Sequence, residues 1–204
     1  MPRMVRAAAP KRDERRALER ETMVLRVGLL ESEGKSSFCL VKNISPAGVQ
    51  VKIYGIMPPG RPVSLKVGDE RPLEGRIMWI RDQLGGIKFD TALEPKTLLR
   101  VTQKLASSKR RSSPRVNTDA RAVLRTGGHT FTAELCDIST SGAKVRTRRA
   151  IDPGPWVLLD LPGMPTIRAH VRWTDERELG LSFDAPIPIQ IIAGWVNERL
   201  GVSS

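Results

Sequence analysis

Two short stretches carry side chains suited to holding an anionic purine. RRSSPR at residues 110–115 offers Arg110, Arg111 and Arg115, and DISTSG at 137–142 offers Asp137, Ser139 and Gly142. Arginine presents a rigid fork of donors that grips phosphate oxygens or the O6/N7 edge of guanine in pairs, and its flat face stacks on bases. A carboxylate only accepts, so Asp137 suits the donors on guanine's Watson–Crick edge. Ser139 adds a hydroxyl on the same side, two residues along an extended segment. Gly142 permits a positive-φ turn or the close approach of a ligand. Each piece is weak alone, because 34 Lys and Arg make an Arg-x-x-x-Arg common and Asp-x-Ser-x-x-Gly is more often a plain turn.

The same parts recur earlier in the chain. Sliding the sequence by 94 residues lays 43–90 on 137–184 without a gap; twelve of forty-eight pairs are identical, and several others exchange one apolar residue for another in phase. NISPAG then supplies Asn43, Ser45 and Gly48, with Asn43 accepting through its amide oxygen and without charge. Further upstream an offset of 99 sets Lys11 and Arg12 on Arg110 and Arg111, and Arg16 on Arg115. That alignment places five additional residues of copy one in the Gly/Glu/Ser-rich stretch 28–35, as a longer hairpin loop. Arg16 and Arg20 form a second Arg-x-x-x-Arg, so two registers of the first arm stand open. Shared descent explains matching strands; the joint recurrence of a basic arm and a polar turn in one order adds a functional reason.

These groups need a scaffold that brings arm and turn together. Apolar residues alternate with polar ones through Val49, Val51 and Ile53 and through Val63, Leu65 and Val67, the period of half-buried strands. Gly/Pro punctuation at 58–60, 85–86, 152–154 and 162–163 divides each copy into about six strands, a number that favours a small closed antiparallel barrel over a sheet with open edges. A helical pattern follows each barrel, at about 94–106 and about 189–200. The predicted architecture is mainly β: a first domain over 1–106, with arm 1–20 and barrel about 21–92, and a second over 107–204, with linker arm 107–116 and barrel about 117–186. Trp79 and Trp173, at matching points of alternating strands, are predicted to fill the two barrels.

Composition narrows the function further. The net charge is +12; residues 1–26 and 100–126 together carry +11, so two basic arms are attached to nearly neutral bodies and the partner is expected to be anionic. Cys39 and Cys136 lie singly in apolar segments and are expected to be buried small hydrophobes. His129 and His170 are isolated, and no Ser/His/Asp or Cys/His arrangement is present, so neither a metal, a cofactor nor an enzymatic activity is expected. The basic N-terminus lacks the apolar segment of a secretory signal and no stretch is long enough to span a bilayer, which places the chain in the cytoplasm.

An RxxxR arm followed by a [D/N]xSxxG turn at the start of a six-stranded barrel resembles the PilZ domains, bacterial receptors for the second messenger cyclic di-GMP. The resemblance covers nearly the whole chain as two tandem domains. It implies that Arg110, Arg111 and Arg115 bind the ligand's phosphates and guanines, that Asp137 and Ser139 hold a guanine from the barrel face, and that Gly142 shapes the turn. In copy one the same roles fall to Lys11, Arg12, Arg16, Asn43, Ser45 and Gly48. Copy one departs in its Lys11 and in Asp13 and Glu14, which offset the arginines, so tighter binding is expected in copy two. The arm of copy two is also the linker, and its closure onto a dianion implies a domain rearrangement read by a protein effector. The competing classes are a nucleic-acid-binding barrel, which an aromatic content of 4% disfavours, and a ligand-independent adaptor with inherited motifs.

Overall fold

The computed structural model of the chain describes residues 22–68, 71–97 and 113–199. Twelve strands close into two antiparallel barrels. The first is formed by β1 (Thr22–Ser32), β2 (Lys35–Ser45), β3 (Gly48–Ile53), β4 (Pro62–Val67), β5 (Leu73–Arg81) and β6 (Leu84–Phe89), in the order β1-β2-β3-β6-β5-β4. The second comprises β7 (Val116–Thr126), β8 (His129–Ser139), β9 (Gly142–Thr147), β10 (Trp156–Asp160), β11 (Ile167–Asp175) and β12 (Glu178–Phe183), and repeats that order. Closure pairs every strand on both sides, which removes the unpaired edge that an open sheet of this size presents. Leu30, Val41, Val51, Leu65 and Ile77 pack inside the first barrel, and Leu124, Leu135, Ile138 and Leu159 inside the second.

The 94-residue offset extends through the first strands. β1 and β2 are 11 residues each and joined by Glu33 and Gly34, at φ 50° and 75°; β7 and β8 are also 11 residues each and joined by Gly127 and Gly128, at φ 54° and 77°. Both are two-residue hairpins whose left-handed central pair matches the twist of the flanking strands. The expected five-residue insertion at 28–35 is therefore absent, and the apparent 99-residue match had set the first strands five residues out of register.

A single helix, α1 (Ile189–Arg199), follows the second barrel. Pro188 sets its start, accepting N–H bonds from Ile191 and Ile192 at 3.0 and 3.2 Å. The helix is wedged between the barrels, so residues around much of its girth are buried: Ile192, Ala193, Trp195, Val196 and Asn197. Trp195 Nε1 donates to the Pro162 carbonyl of barrel two at 2.8 Å, whereas Asn197 Nδ2 donates to the Tyr54 carbonyl of barrel one. Leu29 and Phe38 form a cross-strand pair that points out of barrel one, yet they are 2% and 0% exposed because they join the apolar cluster of barrel two and α1. In copy one residues 95–97 are helical, and the rest of the helix expected at 94–106 lies outside the described residues.

Cys39 is buried as expected, and burial pushes its thiol's pKa up; Cys136 is only partly buried, a correction to the sequence expectation. Among the described residues no helix is long and apolar enough to cross a membrane, and no group of three or more His, Cys, Asp or Glu is placed to hold a metal ion.

Phe38 tests the joint between the barrels. Phe38→Ala is expected to lower stability by about 3–5 kcal/mol in urea denaturation, the cost of emptying a packed core site. A residue on a free barrel exterior would change it by about 0.5 kcal/mol or less.

Candidate functional site

Strict alternation along β8 directs Leu135 inward and would direct Asp137 inward as well. The ladder instead shifts register between Leu135 and Asp137, so Cys136 is an extra residue and Asp137 is turned to the outer face, with Ile138 back in the core at 0% exposure. β2 carries the same bulge between Val41 and Asn43, and it turns Asn43 outward. A second bulge in each barrel lies between Ile77 and Trp79 and between Val171 and Trp173. It overturns the expectation that the tryptophans fill the barrels: both are 38% exposed on the outside. Each indole lies across a glycine of the next strand, and a Cβ on Gly86 or Gly180 would sit 2.2 or 2.0 Å from the indole Nε1.

In copy two the two motif halves meet. The Arg115 guanidinium donates to the Asp137 carboxylate, both side chains being largely covered. Ser139, 2% exposed, is spent on the turn itself: its hydroxyl donates to the Gly142 carbonyl at 3.2 Å and accepts the Ser141 N–H at 3.3 Å. Gly142 is required by packing and not by positive φ, because a Cβ there would lie 2.3 Å from the Leu181 carbonyl oxygen. Lys144, the cross-strand partner of Asp137, bonds Glu178 at 3.3 Å, and bonds from Arg146 and Lys144 hold the Glu178 carboxyl below its usual pKa range. The face around Asp137 thus gathers several cations.

Copy one has the same frame with different charges. Asn43 Nδ2 donates to Gln50 Oε1 at 3.1 Å, a neutral amide pair where copy two has Asp137 and Lys144. The Ser45 hydroxyl donates to the Gly48 carbonyl at 3.1 Å, and a Cβ on Gly48 would meet the Ile87 carbonyl oxygen at 2.5 Å. Asn43, Ser45, Gly48, Gln50, Met78 and Trp79 line a groove of about 430 Å³ on the outer face. The tryptophans are the site candidates that strand alternation missed; the signal for them was Gly86 and Gly180 at matching positions, which leave room for an indole. Lys11, Arg12, Arg16, Arg110 and Arg111 lie outside the described residues.

The PilZ domain family model matches residues 10–106 and again 109–196. No curated protein sequence matches the chain. Similar solved structures include the Borreliella burgdorferi PlzA protein in complex with c-di-GMP, 13% identical, covering 91% of each chain at a TM-score of 0.37. The K. pneumonia MrkH–c-di-GMP complex is 11% identical, covering 87% of this chain and 88% of its own at 0.36. YcgR from Escherichia coli in complex with c-di-GMP is 10% identical, covering 87% and 85% at 0.32.

Gly142→Ala is expected to destabilise the chain by about 1–3 kcal/mol in chemical denaturation, since β12 has to move off the added methyl. An unchanged midpoint would mean that the strand yields freely and that the glycine serves some other purpose.

Proposed function

The chain belongs to the PilZ-domain family, and on that premise we propose that it is a non-enzymatic receptor for cyclic di-GMP whose principal site is in copy two. The observation that carries this reading is the contact of Arg115 with Asp137, which joins the arm to the turn of the same barrel. A ligand with two phosphates and two guanines needs both kinds of group at once: guanidinium forks for the phosphates and a carboxylate for guanine N–H donors. Arg110 and Arg111 supply the remaining forks. Trp173 offers a flat face for a base across Gly180, which pairs with Lys144, the cross-strand partner of Asp137. Ser139 and Gly142 hold the turn in shape and so act on the ligand through Asp137.

For copy one the strand register supports a different arm. Arg115 stands one residue before β7, and the residue one before β1 is Glu21, with Arg20 next to it. We assign the first arm to Arg16 and Arg20 in place of Lys11, Arg12 and Arg16. With a neutral Asn43–Gln50 pair and acidic neighbours in the arm, this is the weaker site. The domains divide at about 106/107, so the arm of copy two is also the linker. Ligand binding at this arm rearranges the barrels for a protein effector in the cytoplasm.

Calorimetric titration of cyclic di-GMP tests the proposal. The wild type is expected to bind, with Arg111→Ala and Asp137→Ala each weakening the tight site roughly 10- to 100-fold, the loss of charge-assisted bonds. Arg16→Ala is expected to leave that site intact. No heat in the wild type ends the receptor reading, and equal losses in all three variants would end the assignment to copy two.

A further inference from the structure

We infer that Thr140 is a positioning residue that ties the ligand arm of copy two to the joint between the barrels. The inference deepens the receptor reading for copy two and rests on it for the identity of the signal, but not for the existence of the tie. Thr140 occupies the tip of the turn between Ser139 and Gly142, where an exposed polar side chain is the ordinary outcome, yet it is 7% exposed. Its Oγ1 lies 2.9 Å from Ser113 Oγ, a residue of the arm two positions before Arg115. Its carbonyl accepts the Ile187 N–H at 2.7 Å, two residues before α1 begins. The helix in turn bonds barrel one through Asn197 and the Tyr54 carbonyl, and Tyr54 directly follows β3. One residue therefore links the arm by its side chain to the entrance of the interdomain helix by its backbone.

Copy one isolates the role of the hydroxyl. Pro46 stands at the equivalent position, is exposed, and its carbonyl accepts the Leu93 N–H at 2.8 Å, the counterpart of the Ile187 bond. The backbone half of the tie thus belongs to the barrel, whereas the hydroxyl half is an addition of copy two, the copy whose arm is the linker. The joint it reaches is open to bias. Tyr54 Oη and Asn197 Oδ1 are buried there with no hydrogen-bond partner among the described residues, so the docking leaves polar groups of the joint unpaired within that set. A ligand held at Arg115 that shifts Ser113 also draws on Thr140, and with it the entrance of α1 against barrel one.

Amide hydrogen exchange of the full chain tests the tie, first without ligand. Thr140→Val keeps size and branching and removes the hydroxyl; residues 187–199 are expected to exchange roughly three- to tenfold faster, the effect of one lost hydrogen bond. Thr140→Ser restores the wild-type rate, and Ser113→Ala, which deletes the same bond from the arm, matches Thr140→Val. Wild-type rates in Thr140→Val or Ser113→Ala overturn the inference. With cyclic di-GMP, exchange of 187–199 is expected to change in the wild type and in Thr140→Ser and to lose at least half of that response in Thr140→Val; an equal response overturns the relay. Calorimetry on the same samples keeps the two questions apart. A wild type that releases no heat removes the receptor reading, while the ligand-free comparison still decides the tie.

Discussion

The outer face that carries Asp137 and Asn43 depends on a counting constraint. A closed barrel with period-two alternation commits each strand residue to inside or outside, and shifting the register by one residue reverses the remainder of the strand. The bulges at Cys136 and Lys42, and those between Ile77 and Trp79 and between Val171 and Trp173, each insert one residue and so reverse the pattern once. They bring a carboxylate or amide and an indole onto the outer surface while Ile138 and Ile44 return to the core. Without them Asp137 would be a buried charge, costly unless paired, and the barrel would have no polar recognition surface at this end.

The two barrels show how one frame carries different polar groups. Strand order, the first hairpin and the bulges coincide, and five of the six strand pairs match in length, so the outer faces differ chiefly in the residues mounted on the frame. Asp137 facing Lys144 is replaced by Asn43 facing Gln50, exposed Met78 stands where copy two has Arg172, and Thr140 becomes Pro46. Each change in copy one removes charge or a hydroxyl and leaves the backbone bonds in place.

The fold was largely legible because it rests on composition and periodicity. Gly/Pro punctuation marked the strand ends, and the repeat doubled every signal. The polar turn was legible from Asp137, Ser139 and Gly142, although the serine hydroxyl and the glycine serve the turn's own geometry. The position of the tryptophans was not legible, because alternation is the sequence signal for strands and a bulge is one residue of silence in it. The hairpin of copy one was misplaced because the short run Val24-Leu25-Arg26 matches Val123-Leu124-Arg125 at an offset of 99, a local identity stronger than any that the 94-residue register shows there. The wedge of α1 was equally hidden, since Leu29 and Phe38 read as ordinary strand residues until the covering helix, some 150 residues later in the chain, is in place.

That distance has a consequence for how the chain is made. Barrel one is complete in sequence by Phe89, and domains generally fold in order of synthesis. Its outward pair Leu29 and Phe38, with Val27 and Tyr54 beside them, then stays bare while about a hundred further residues are translated, at on the order of 5–20 residues per second. The first barrel therefore spends several seconds on the ribosome with an apolar patch open to chaperones or to another nascent chain. Of the elements described, the helix that seals it is the last to emerge.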